Sequence, residues 1–367
     1  MQTRYRSLLP HFLALLYGLS IAYASLQPFA PWIDPEPGTR FFLLAPWPAR
    51  WTRFDVLANI LAYVPFGLFV AVALRDRPTA PRLLLATAAG TLLSFALEAL
   101  QMFLPPRDAS TVDLLANAAG SLLGAAAAST LLRSTAIRNA ITKWRLRWFL
   151  HGRTGDLGLA LLAIWLAVQL NPGIPLFATV FDVPLPAGAP AGAVAATSDV
   201  AGALIEGAHS ALQVLGVGLF VALLVRERRR VGVSVLLLLG AGMLIKGIAA
   251  ALLLKPAAWE HWLSPGVSAG VSVGALALPM VIFLPRPAQV AICAIALLSS
   301  VLSMLFVPEI LLAQPPLSLF NRGYGHLLNF NGLTRTVLML WPLAASGFLF
   351  ALAGRPRWGD PLVGSEL

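Results

Sequence analysis

The chain has 367 residues, of which 58% are hydrophobic and 11% charged, with a mean hydropathy of +0.78 and a formal net charge of +10. A water-soluble chain keeps about a quarter of its residues charged, so a soluble globular fold is excluded. The expectation is an all-α, polytopic transmembrane helical bundle. Apolar stretches of about twenty residues recur, each long enough to cross the hydrocarbon core, and the period-two alternation of a membrane barrel is absent.

In chain order, ten spans are expected near 8–26, 55–74, 83–104, 113–132, 157–171, 200–225, 231–254, 265–284, 288–307 and 337–353. With the N-terminus in the cytoplasm, 18 of the 26 Lys and Arg fall in cytoplasmic segments, 7 outside, and Lys246 alone in a span. The positive-inside rule then places both termini in the cytoplasm, and the expected location is a multi-pass one in the bacterial cytoplasmic (inner) membrane. The basic clusters at 133–153 and 226–230 read as orientation signals that touch anionic lipid, with no role in nucleic-acid binding. Arg4 and Arg6 ahead of an apolar run imitate a signal peptide. The Pro-rich segment 27–48 reads as a structured loop, so the first span is expected to be retained. Cys293 lies mid-span and is the only cysteine, so no intrachain disulfide forms.

Three regions are expected: a four-span module at 1–133, a basic cytoplasmic linker at 134–156, and a six-span module at 157–367. Gly67-Leu-Phe-Val-Ala-Val-Ala-Leu-Arg75 echoes Gly218-Leu-Phe-Val-Ala-Leu-Leu-Val-Arg226 at an offset of 151, which lands Glu206 on Asp55. Pro28-x-x-Pro31 and Pro172-x-x-Pro175 follow the first span of each module. The first four spans of the second module therefore read as a degenerate parallel repeat of the first.

The polar residues of the first module gather at one depth. TRFDVLAN (52–59) and STVDLLAN (110–117) open spans two and four from outside, and Glu98 and Gln101 close span three there. Asp55 with Asn59 and Asp113 with Asn117 are i, i+4 pairs on single helix faces. Thr52-x-x-Asp55 and Ser110-x-x-Asp113 are also capping boxes, and capping by itself accounts for both acids. It does not account for Asn59 and Asn117, one turn deeper, or for Glu98, because polar groups at that depth need partners. Two readings stay open: a structural polar network locking four helices, or an outward-facing pocket lidded by the two Pro-rich loops. In the pocket, two helix N-termini with Arg53 and Arg107 face a phosphate or carboxylate. The binding candidates are Asp55, Asn59, Glu98, Gln101, Arg107, Asp108, Asp113 and Asn117. Among these, Glu98, Asp113 and Arg107 are the catalytic candidates.

The ordered set Asp55-x-x-x-Asn59, Pro65-x-Gly67, Glu98-x-x-Gln101, Arg107 and Asp113-x-x-x-Asn117-x-x-Gly120-x-x-x-Gly124 resembles the VanZ-like family of membrane proteins over about residues 8–133. The resemblance implies a four-span helical module and a cell-envelope, antibiotic-resistance context. The family takes its name from an accessory factor in glycopeptide (teicoplanin) resistance that works without the usual precursor-remodelling enzymes. It supplies no reaction. The second half resembles no named family, and Ser264 and Ser268 stand opposite Asp113 and Asn117, so a second equivalent site is not expected.

In the second module Glu206, His209 and Gln213 share a helix face, and Lys246 lies at the same depth as Glu206, so a Glu206–Lys246 ion pair is expected. A proton or substrate relay through Glu206 and His209 is the alternative. Trp259-Glu-His-Trp262 and the segment 308–336 read as interfacial, and 321–326 as a cap over a pocket. Neither a metal nor any other cofactor is expected, since Glu206-x-x-His209 is a single copy of a half-site that needs two, and no nucleotide fingerprint occurs. The expected partners are membrane lipids and a lipid-linked envelope precursor. Three functions compete: an accessory or binding protein at the outer leaflet, a lipid head-group enzyme using Glu98, and a transporter or flippase.

Overall fold

A computed structural model describes residues 6–47, 51–105, 107–174, 176, 199–258, 262–306, 320 and 325–353. The expectations for Pro175, for 259–261, for 308–319 and for 321–324 lie outside the described residues, as does the side chain of His326. Among the described residues there are eleven α-helices, two 3-10 turns, two isolated β-bridges and no strand. The helices are α1 (Leu9–Leu26), α2 (Arg53–Ala73), α3 (Thr79–Gln101), α4 (Thr111–Arg133), α5 (Thr135–Trp148), α6 (Gly152–Val168), α7 (Asp199–Leu224), α8 (Arg228–Leu253), α9 (Pro265–Ile282), α10 (Arg286–Phe306) and α11 (Gly325–Ala353).

This is a helical membrane bundle, the form in which a chain satisfies its own backbone where water is absent. Among the described residues, eight helices are long and apolar enough to cross a membrane: α1 to α4, α8, α9, and the greater parts of α7 and α11. Ten were expected. α6 has 17 residues, at the lower limit of a spanning helix, and it buries Gly155, Asp156, Ala160, Leu161 and Trp165 inside its own unit. α10 has 21 residues, the length of a spanning helix.

Two compact units divide the chain, one of 6–147 and one from Trp148 onward. The segment expected as a linker is largely helical. α5 carries Arg138, Lys143, Arg145 and Arg147 and buries no residue. Beyond it, Phe149 and Val225 form an antiparallel bridge, and Arg230 lies 5.6 Å over the Trp148 ring.

Glycine sets the main helix crossing of the front unit. A Cβ at Gly67 would collide with the Ser121 backbone, and Cβ atoms at Gly120 and Gly124 would collide with the backbones of Ile60 and Val64. α2 and α4 therefore meet backbone to backbone, the small-residue packing that membranes favour because lipid tails provide no hydrophobic drive between helices. At the far end of the same helices Arg82, 5% exposed, donates from Nε to Ser129 Oγ at 3.1 Å and joins the start of α3 to the end of α4.

The second unit repeats the device between α7 and α9. Gly266, Gly270 and Gly274 abut the backbones of Ala203, Gly207 and Ala211. Ile60 meets Gly120 in one unit and Ala211 meets Gly274 in the other. The first partners differ by 211 − 60 = 151 and the second by 274 − 120 = 154. The N-caps of α4 and α9, Ser110 and Ser264, are also 264 − 110 = 154 apart. Ser264 thus stands in the place of Ser110, where the single offset of 151 had set it against Asp113.

Gly124→Val is expected to destabilise the front unit by about 1–3 kcal/mol, as overpacking does. Gly240→Val, where nothing lies within 4 Å of an added Cβ, is expected to leave stability unchanged. Thermal unfolding of the two variants in detergent checks the contrast.

Candidate functional site

The ends of α2, α3 and α4 that carry the polar repeat come together in the front unit. At the start of α2 the capping box is made in full. Thr52 Oγ1 accepts from Asp55 N at 3.1 Å, and Asp55 Oδ2 accepts from Thr52 N at 3.2 Å and from Thr52 Oγ1 at 2.6 Å. Asp55 is thereby held as a cap.

The second box is not built the same way. Ser110 caps α4 by accepting from Val112 N at 3.1 Å, but its own N–H donates to Glu98 Oε2 at 2.8 Å. Asp113 turns aside, and its Oδ1 accepts from Asn59 Nδ2 at 2.7 Å. The acid at the mouth of α4 is therefore the chain's own Glu98, brought from the last turns of α3 and only 5% exposed. Its carboxyl oxygen meets a backbone N–H at the positive end of the helix dipole, which makes its burial tolerable.

Asn117, also buried, donates from Nδ2 to Ser94 Oγ at 2.9 Å. Ser94 also engages the Tyr63 hydroxyl. Asn59, Tyr63, Ser94, Glu98, Asp113 and Asn117 thus form one polar core where α2, α3 and α4 meet. Sequence reasoning missed Tyr63 and Ser94. Helical spacing was the signal for both, since Tyr63 lies four residues after Asn59 and Ser94 four residues before Glu98.

Two expected site residues do other work. Arg107 was expected to hold a bound anion. Instead its Nε and Nη2 donate to Gln27 O at 2.9 and 2.7 Å, and Nη2 also donates to Ala24 O at 2.9 Å. Gln101 Nε2 donates to Ser25 O at 2.8 Å. The last carbonyls of a helix have no intrahelical donor, and at the end of α1 these two side chains provide them. Burial pushes the Arg107 guanidinium below its usual value, with the Glu98 carboxylate acting in the opposite sense. Asp108 is exposed on the α3–α4 loop.

The first loop lies over this end of the unit. Ile33 N donates to Phe103 O at 2.9 Å, and Thr111 Oγ1 donates to Phe42 O at 3.0 Å. The Phe42 side chain is buried with its ring 5.8 Å from that of Phe95. Trp32, Trp47 and Trp51 remain exposed, the placement of aromatic anchors at a membrane–water interface.

In the second unit the expected Glu206–Lys246 ion pair is not formed. Lys246, fully buried, donates from Nζ to Asn171 O at 2.9 Å and Ile174 O at 2.8 Å. Glu206 Oε2 accepts from Ser264 Oγ at 2.6 Å across the α7–α9 crossing. Glu206 is taken by Ser264, and the lysine is held by two carbonyls of the segment that follows α6. Asn171, another residue that sequence reasoning missed, donates to Asn331 Oδ1 and Thr334 Oγ1, both at 2.7 Å, and ties the same chain end to α11. His209 and Gln213 are buried on α7.

The architecture defines a multi-pass helical membrane protein with a polar core at one end of its front unit. That unit is similar to a known family: the model described as VanZ/LLP1 matches residues 11–133. No curated protein and no solved structure matches the chain.

Two outcomes follow. In a double-mutant cycle, Asn59→Leu and Asp113→Leu are expected to couple by about 0.6–1.7 kcal/mol, the range of interhelical hydrogen bonds in membranes, as read by unfolding in detergent. In the second unit, Lys246→Met is expected to lower stability by about 1–3 kcal/mol for each orphaned carbonyl. Glu206→Gln, which still accepts from Ser264, is expected to be silent in the same assay and in any transport assay; loss of transport would restore the relay reading.

Proposed function

We propose that the chain is an accessory or binding protein of the bacterial cytoplasmic membrane. It engages the head group of a lipid-linked cell-envelope precursor at the outer leaflet and so contributes to glycopeptide resistance of the teicoplanin type. The similarity of residues 11–133 to the VanZ/LLP1 family supports the envelope context. The observation that carries the reading is the polar core at the mouths of α2 and α4, set under an aromatic strap on the side that the charge distribution assigns to the exterior.

The chemistry of that core narrows what it suits. Both helix N-termini already hold an acid of the chain, Asp55 on α2 and Glu98 on α4, and Arg107 is committed to α1. What the mouth offers is acceptors: carboxylates and an amide carbonyl. Such a surface suits hydroxyl, amide and ammonium donors of a head group better than its phosphates. The second unit, with its own glycine crossing and Glu206–Ser264 contact, is proposed as a degenerate parallel repeat of the first.

A head-group enzyme is the second reading, favoured by the buried Glu98 beside Asp113. There Glu98 would act as general acid or base, a role that contributes about 10²–10⁴-fold to rate.

Glu98→Gln separates the two. The amide keeps an acceptor for Ser110 N–H, so the accessory reading expects resistance to a teicoplanin-type glycopeptide to persist, measured as inhibitory concentration at equal membrane abundance. Loss of resistance in Glu98→Gln, together with conversion of the precursor by purified protein alone, would replace the accessory reading with the enzymatic one.

A further inference from the structure

The other end of the front unit has the opposite chemistry. Arg6, His11, Asp76 and Arg77 line the polar side of a cavity of about 300 Å³, with Leu8, Ala73 and Leu74 on its apolar side. That volume is at the small end of ligand pockets. Asp76, the one acid, is paired with Arg6. Arg75, next in sequence, is turned away to Ser7 O at 3.2 Å, and the nearby Arg82 bonds Ser129. Among the described residues, neither the Arg77 guanidinium nor the His11 ring makes a hydrogen bond or ion pair, although both line the cavity.

The cleft therefore holds one uncompensated cation and a second N–H donor beside an already neutralised pair. An arginine fork matches two oxygens of a phosphate, and such charge-assisted bonds are about twice as strong as neutral ones. The apolar side belongs to the starts and ends of spans: Leu8 precedes α1, and Ala73 and Leu74 end α2. A ligand that fills both sides carries an anion at one end and a hydrocarbon stem at the other. The charge distribution assigns this end of the helices to the cytoplasmic leaflet, where anionic lipids concentrate.

We propose that this cleft binds the phosphate of an anionic lipid head group, with Arg77 and His11 as donors and the acyl stem against Leu8, Ala73 and Leu74. Free phosphate shares the recognised chemistry, and the test has an arm for each source. Binding here is independent of the acceptor-rich mouth at the other end of the unit, so either assignment stands without the other.

The full chain, extracted in mild detergent, is mixed with phosphatidylglycerol, with diacylglycerol as the same stem without phosphate, or with inorganic phosphate, and retained ligand is read by native mass spectrometry. Phosphatidylglycerol is expected to be retained and diacylglycerol lost. The double substitution Arg77→Gln with His11→Gln is expected to weaken retention about tenfold, the loss of one charge-assisted contact. Arg40→Gln, an exposed base on the first loop at the other end of the unit, is expected to leave it unchanged. Displacement of the lipid by millimolar inorganic phosphate would assign the site to free phosphate, and resistance to displacement assigns it to the lipid. Equal retention by the double variant and the unsubstituted chain, or an equal loss in Arg40→Gln, overturns the proposal. Melting temperature reads folding separately, and if the double variant melts early, the single Arg77→Gln at its exposed position makes the same comparison.

Discussion

A bilayer core provides no hydrogen-bond partner, so each backbone group and each polar side chain at depth must be satisfied by the chain itself. The rest of this structure follows from that constraint. It makes the segments helical, and it makes helix ends the places where chemistry collects, because only there are N–H and C=O groups left over. Much of the polar chemistry of the front unit accordingly gathers toward one set of helix ends, where α2, α3 and α4 provide one another with partners.

The two units meet the constraint in parallel ways. The first helix of each ends just before a proline-bearing segment, and each end is closed by side chains from later in the same unit. Arg107 and Gln101 donate to the carbonyls of Ala24, Ser25 and Gln27, and Lys246 donates to those of Asn171 and Ile174. In each unit, too, two helices meet through glycine: α2 with α4, and α7 with α9. Residues that look ionic and functional on a hydropathy plot, Arg107 and Lys246 above all, turn out to be positioning residues for the backbone. An isolated cation in a span is costly, and two carbonyls without donors are the counterpart that makes it worth keeping.

The front unit is chemically polar from end to end as well as from core to surface. One mouth presents acceptors, with Glu98 and Asp113 drawn in by a backbone N–H and an amide. The other presents donors, with Arg77 and His11 beside a paired Asp76. α2 runs between these two ends, with Asn59 at one and Ala73 at the other, and glycine contact fixes it against α4.

Composition and spacing by themselves determined the class of this protein, because length and hydropathy measure directly what a bilayer demands. They located most of the helices to within a few residues, although the last begins at Gly325 where 337 was expected, and read Thr52 and Asp55 as a capping box, since a cap is a contact between near neighbours in the chain. They also drew Asn59, Glu98, Asp113 and Asn117 to one depth, because depth follows from residue count at a fixed helical rise. Only the tertiary structure decided which partner each residue takes: Ser110 N–H for Glu98, Asn59 for Asp113, the end of α1 for Arg107, the end of α6 for Lys246. The same holds for Tyr63, Ser94 and Asn171: helical spacing marks the first two, but only the fold shows what each of the three touches. A hydrogen bond between helices depends on the rotation and crossing of each helix. In a chain this rich in Leu, Ala and Gly those are set by close backbone contacts whose partners lie about sixty residues apart, beyond the reach of any local pattern.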